Sequence, residues 1–218
     1  MVSEDPETAR QIAELSKDRR PLVVLDVDEV ILEFITPFTG FLGARGLKFD
    51  TASFRLHGNI SDAQTGAVVE NDAVTGLIDT FFAAQADWQT VAAGAADAIA
   101  ELARSAEIVM LTAMPHKHRD VRRAHLDSLG LTYPLVTTEK AKGPAIRQLR
   151  GDHSRPVAFV DDLPPNLVSV RAALADAQLF HLMAHAGMRK LLPPLPDGIV
   201  SVEDWRDAAP KIAKALGI

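Results

Sequence analysis

The chain has 218 residues, a formal net charge of −6, 47% hydrophobic and 24% charged residues, and no cysteine. This balance suits a folded domain with a substantial core rather than a disordered chain. No apolar run approaches the roughly 20 residues of a bilayer span, the start MVSEDPETAR has no signal-peptide pattern, disulfides and thiol chemistry are excluded, and the acidic balance speaks against affinity for a nucleic acid polymer. A cytoplasmic protein is the simplest expectation.

In chain order, Asp5-Pro6 followed by Ala9, Ile12 and Ala13 predicts a short capped helix, with Pro6 at a tolerated first position. PLVVLDVD then supplies consecutive branched apolar residues, as expected of a parallel strand covered on both faces. From Glu33 to Trp88 the pattern loosens, with Phe34, Phe38, Phe41, Phe49, Phe54, Phe81 and Phe82 among glycines and polar residues. An insertion is expected there. Helical spacing returns at Ala95, Ile99, Leu102 and Ala106, and EIVMLT reads as a second buried strand. A helix over 118–129, closed by Gly130, precedes a third strand at YPLVTT. KGPAIRQL opens a helix, RPVAFVDD reads as a fourth strand, a helix begins near Asn166, and AQLFHL reads as a fifth strand. In the tail, Ser201 and Asp204 match the capping-box spacing, and Trp205, Ala209, Ile212 and Leu216 form an apolar stripe that Pro210 is expected to kink or split. No repeat or heptad run appears. Strands alternating with helices predict a doubly wound, mostly parallel α/β sheet, whose ligands bind at the C-terminal ends of the strands.

That rule gives the polar residues meaning. The predicted strands end in Asp26 with Asp28, in Thr112, in a segment leading to Lys140 and Lys142, and in Asp161 with Asp162. Carboxylates gathered at one crevice repel one another unless a cation sits among them, and an all-oxygen set suits Mg²⁺. The lysine and the threonine hydroxyl suit phosphate oxygens, so the expected chemistry is phosphoryl transfer.

LDVDEV at 25–30, VMLTAM at 109–114, KGPAI from 142 and VAFVDDLPPN at 157–166 stand in the order of the four motifs of the haloacid dehalogenase superfamily, and the chain resembles its phosphatase branch. The resemblance implies a Rossmann-like core over 1–32 and 89–218 and a small, mainly helical cap over 33–88. It implies that Asp26 is the nucleophile, forming an aspartyl-phosphate, and that Asp28 is the general acid and base. Mg²⁺ would be held by Asp26, the Asp28 backbone carbonyl and an acid of the fourth motif, with Asp162 as direct ligand and Asp161 in support. Thr112 and Lys142 would hold the phosphoryl group; Lys142 is preferred over Lys140 because a helix begins beside it. The implied substrate is a small phosphomonoester of the nucleotide or sugar phosphate class, a phosphomutase or an inactive binding protein being the alternatives. Two positions depart from the pattern: Glu29 stands where glycine is commonest, and Asn166 where a further acid is common.

The remaining candidates read as structural. His116 and His118 lack a third ligand and suggest an exposed loop, and His181 and His185 have the spacing of a helical zinc pair without its accompanying glutamate. Arg119, Arg122 and Arg123 suggest a solvated helix face, or alternatively an anchor for a second substrate phosphate.

Overall fold

The computed structural model describes residues 5–16, 18–50, 55–152, 154–191 and 194–218. Its centre is β1 (Leu22–Leu25), whose four side chains are fully buried. On one side of β1 lie β4 (Glu107–Thr112) and β5 (Leu135–Thr137); on the other lie β6 (Val157–Asp161), β7 (Gln178–Leu182) and β8 (Ile199–Val202). Every neighbouring pair in this six-stranded sheet is parallel. The chain first builds outward from β1 to β5 and then restarts beside β1 with β6. The strand order therefore reverses between β1 and β6, where a doubly wound sheet opens its ligand crevice.

Alternate residues of each strand face opposite sides, and each side has its own apolar core. Val23, Leu25, Met110 and Val160 pack with Ile99 of α4 (Ala95–Leu102), Leu126 of α5 (Arg119–Ser128) and Trp205 and Ile212 of α9 (Trp205–Leu216). Leu22, Val24, Val109 and Phe159 pack with Ile12 of α1 (Pro6–Ala13), Ile146 of α6 (Lys142–Arg150) and Leu167 of α7 (Pro164–Ala173). Burial on both faces is the reason these strands read as unbroken apolar runs.

Between β1 and α4 the chain forms α2 (Ile35–Gly43), a two-stranded antiparallel hairpin of β2 (Leu47–Phe49) and β3 (Ile60–Asp62), and α3 (Asn71–Ala83). These elements share a separate core in which Phe34 stacks on Phe38 at 5.3 Å, Phe81 meets Phe38 edge-on at 5.2 Å, and Trp88 meets Phe41 at 5.6 Å. The outgoing and returning segments are laced together, Glu33 N–H donating to Thr90 O and Ala92 N–H to Ile31 O. Phe54 falls outside the described residues.

The tail departs from expectation. Ser201 lies in β8 rather than in a capping box, and Asp204 alone caps α9, accepting from the N–H groups of Arg206 and Asp207 at 2.8 and 3.0 Å. Pro210 neither splits nor ends α9. It and Arg206, whose carbonyl loses its helical donor, are both exposed, so water can serve that carbonyl. The helix expected near Asn166 starts earlier, with Pro164 in its first turn. His181 belongs to β7, and His185 caps the short α8 (Ala186–Arg189) through its ring nitrogen, so they do not share a helix face.

Candidate active site

Asp26 stands one residue beyond β1, its N–H still in the ladder to Val160 O at 2.9 Å. Asp161 ends β6 and Asp162 follows. Because β1 and β6 are neighbours, the three carboxylates meet, one oxygen from each within 4.8 Å of the others. Among the described residues this is the grouping of acids and histidines close enough to hold a metal ion. The wholly buried ammonium of Lys142 completes the cluster, 2.7 Å from Asp26 Oδ1 and 2.6 Å from Asp161 Oδ2. Lys142 reaches this position because α6 approaches α7 closely: a Cβ at Gly143 would lie 2.2 Å from the Ser169 carbonyl oxygen, so the residue after the lysine has to be glycine. Lys140, by contrast, is exposed and lines a different cleft, with Asp5 and Thr8.

Three buried carboxylates against one ammonium leave excess negative charge, and the titration behaviour follows. Burial, with Asp161 and Asp28 adding to it, pushes Asp26 up against the opposing pull of Lys142. Burial and the charges of Asp161 and Asp26 push Asp162 well above the usual carboxylate range. Burial works against the Lys142 ammonium, but Asp161 and Asp26 outweigh it and hold the lysine above its usual range. The two adjacent aspartates differ in their partners. Asp161 accepts from Leu163 N–H at 2.8 Å and from the Asn166 amide at 3.0 Å as well as from Lys142, whereas Asp162 has no donor among the described residues. Asn166, the departure from the acidic pattern, thus orients Asp161. The donor set is all oxygen, carries net negative charge and leaves one carboxylate unpartnered, so it fits a hard divalent cation such as Mg²⁺.

Asp28 belongs to a second set of contacts. Nη2 of Arg122 donates to both of its oxygens at 2.9 and 3.2 Å, the Gln89 amide donates at 2.8 Å, and the Thr112 hydroxyl lies 3.5 Å away. Gln89 also donates to Glu33 O at 3.0 Å, tying Asp28 to both segments that connect the insertion. The solvated-face reading of the arginines is thereby corrected. Arg122 is 0% exposed, while Arg119 and Arg123 donate to the carbonyls of Leu135 and Tyr133. Arg122 pairs with Asp28 rather than lining the cavity, so it is not placed to anchor a second phosphate. Neither Arg122 nor Gln89 announces this role in sequence, since Arg122 lies 94 residues from Asp28.

Glu29 explains the missing glycine. It is the one described non-glycine residue with positive φ, 63°, a conformation costing on the order of 1–2 kcal/mol. Its buried carboxylate accepts from Phe34 and Ile35 N–H at 3.1 and 2.8 Å, at the start of α2 where a negative charge is favoured. Burial raises its pKa, and those N–H groups oppose the rise. The histidine pair after β4 is not an exposed loop. His116 contacts Asp5 at 3.1 Å and Thr137 at 2.6 Å, and the buried His118 contacts Asp79 at 2.6 Å.

This parallel sheet, with an acid at the end of β1 and an acid pair at the end of its neighbour, has the fold of solved haloacid dehalogenase-like hydrolases. A putative hydrolase of that kind from Bacillus subtilis, YfnB bound to magnesium, superposes with a TM-score of 0.64 at 12% identity, covering 92% of this chain and 100% of that one. A hydrolase of the same family from Deinococcus radiodurans, with bound phosphate and sodium, gives 0.56 at 18% identity over 90% and 96% of the two chains. A predicted phosphoglycolate phosphatase from Haemophilus somnus gives 0.58 at 14% identity over 91% and 100%. No family model and no curated protein matches the sequence.

Proposed function

We propose that the protein hydrolyses a small phosphomonoester through an aspartyl-phosphate on Asp26. The observation that carries this reading is the separation of two carboxylates by environment: Asp26 sits in the Lys142–Asp161–Asp162 cluster, and Asp28 is held apart by Arg122, Gln89 and Thr112. Oδ1 of Asp26 already accepts from Val27 N–H and Lys142, both at 2.7 Å, which leaves Oδ2 without a donor among the described residues. That oxygen attacks phosphorus while the ester P–O bond breaks, and Asp28 gives its proton to the leaving oxygen. In the second half, Asp28 takes a proton from water as the water oxygen attacks phosphorus. The bond to Asp26 breaks, releasing inorganic phosphate and restoring the Asp26 carboxylate and the protonated Asp28. Lys142 and Thr112 are assigned to the phosphoryl oxygens.

Mg²⁺ held by Asp26, Asp162 and the Asp28 backbone carbonyl, with Asp161 in support, would shield phosphate charge so that an anion can approach an anion. The phosphate, sodium and magnesium in structurally similar proteins support this assignment. In the same reading residues 33–88 form a lid that limits water access to the acyl phosphate. The partner is a small molecule rather than a polymer, and no described helix is long and apolar enough to cross a membrane.

The test is phosphate release from a panel of phosphomonoesters with and without Mg²⁺, comparing wild type with Asp26→Asn. Release should require the metal, stop with EDTA and fall by at least about 10³-fold in the variant while the fold persists. Undiminished turnover by Asp26→Asn would overturn the nucleophile assignment, and activity surviving EDTA would overturn the metal assignment.

A further inference from the structure

The cavity in front of the acids, about 200 Å³ in volume, has two unlike walls. One is charged: Asp26, Asp28, Glu29 and Asp162 all border it. The other is apolar, formed by Phe34, Ile35 and Phe82 of the insertion and by Met114, Met183 and Met188 of the core. No lysine, arginine or histidine borders the cavity among the described residues. The cations beside it are engaged: the fully buried Lys142 with Asp26 and Asp161, the fully buried Arg122 with Asp28, and Arg189 with the Met183 carbonyl at 3.1 Å. The uncharged polar groups are engaged too: the Asn166 amide donates to both oxygens of Asp161, and the Thr112 hydroxyl lies between Asp28 and the Met114 N–H.

This inventory constrains the part of the substrate that leaves. A second phosphate or carboxylate would face carboxylates with no counter-charge, and burying an unpaired anion is strongly unfavourable. A polyhydroxylated group would lose its bonds to water and find few free partners. Size points the same way, because pockets for drug-sized ligands run about 300–1,000 Å³ and this cavity must also seat the phosphoryl group. Apolar surface, by contrast, is well served by two aromatic rings and by methionines, whose flexible thioethers adapt to irregular shapes.

We propose, resting on the phosphatase reading above, that the leaving group is a compact and largely apolar alcohol or phenol carrying no second anionic group. The ester P–O bond breaks, the leaving oxygen takes the Asp28 proton, and the product is the neutral hydroxyl compound. This points away from the nucleotide or sugar phosphate class that the resemblance implies. A phosphomutase, which must grip the second phosphate of a bisphosphate intermediate, finds no cation lining this cavity among the described residues.

The experiment measures kcat/KM with Mg²⁺ for isoamyl phosphate against glycerol phosphate, phosphoglycolate, a nucleoside monophosphate and a sugar bisphosphate, with p-nitrophenyl phosphate as an activated reference. Isoamyl phosphate should exceed the polar and anionic esters by about tenfold or more, the scale that apolar pocket contacts supply. Leu163, 40% exposed on the cavity rim, gives a variant that tolerates a charge: Leu163→Lys should shift the ratio of phosphoglycolate to isoamyl phosphate by about tenfold toward the anionic ester. Equal or better wild-type turnover of a bisphosphate or polyhydroxylated ester overturns the apolar assignment while leaving the phosphatase reading standing. Release from none of the esters, p-nitrophenyl phosphate included, overturns both.

Discussion

The two walls of the cavity are built by opposite means. The sheet side concentrates charge: four strand-end residues, Asp26, Asp161, Asp162 and Thr112, and the first residue of α6, Lys142, are all buried, and Lys142 is paired with Asp26 and Asp161. The insertion side has almost none, relying on interlocked rings such as Phe38, Phe41 and Phe81 within 5.2–5.9 Å of one another. Chemistry needs groups fixed to a rigid scaffold, and the doubly wound sheet supplies that at its switch point. Recognition of an apolar group needs only shape and dryness, which a small aromatic core provides.

The contrast can be broken from either side. The largest effect is expected from Lys142→Met, which leaves three buried carboxylates without their ammonium. Stability should fall by about 3–5 kcal/mol in denaturant titration, with turnover lost alongside it. Phe38→Ala attacks the other wall and should cost about 3 kcal/mol by opening a cavity among the rings. If the walls have separate duties, its effect on kcat/KM should be greater for isoamyl phosphate than for p-nitrophenyl phosphate.

Arg122→Met tests the link between the walls, since Arg122 and Gln89 tie Asp28 to the connecting segments. Losing the group that holds Asp28, the proposed general acid, should lower kcat/KM about 10²-fold for an alkyl ester, whose leaving oxygen needs a proton, and much less for p-nitrophenyl phosphate. A loss equal for both esters would assign Arg122 a purely structural role.

Asp5 offers the smallest effect and a contrast with Asp162. Burial raises Asp5, but donors from Glu139, Thr8 and His116 outweigh it and bring it from its ordinary 3.8 to about 2, whereas Asp162, without donors among the described residues, is raised. A depressed carboxylate stabilises the fold above its unfolded pKa and loses that contribution as pH falls through the folded one. Wild type should therefore lose about 1–2 kcal/mol relative to Asp5→Asn between pH ~4 and ~2, measured as Tm against pH.

Sequence made the charged wall far more legible than the apolar one. Strands buried on both faces leave an unmistakable run of branched residues, and an acid ending such a run, as Asp26 ends VVL, has few reasons to be there. The edge strand β8, half exposed with pattern IVSV, has no such run, and Ser201 and Asp204 imitated a capping box. The short β2–β3 hairpin was hidden for the same reason, its strands being only three residues each. Arg122 shows the deeper limit: local spacing makes Arg119, Arg122 and Arg123 look like a solvated stripe, and only the folded chain brings Asp28 to the middle one. Glu29 was visible as an oddity, but its use as a cap for α2 depends on the turn it makes at φ 63°.

The central claim, covalent transfer through Asp26, is tested most directly by the stereochemical course at phosphorus, using a thiophosphate monoester made chiral with oxygen isotopes. Two successive in-line displacements, first by Asp26 and then by water, predict retention of configuration in the released thiophosphate. Inversion would mean a single direct attack by water and would contradict the account.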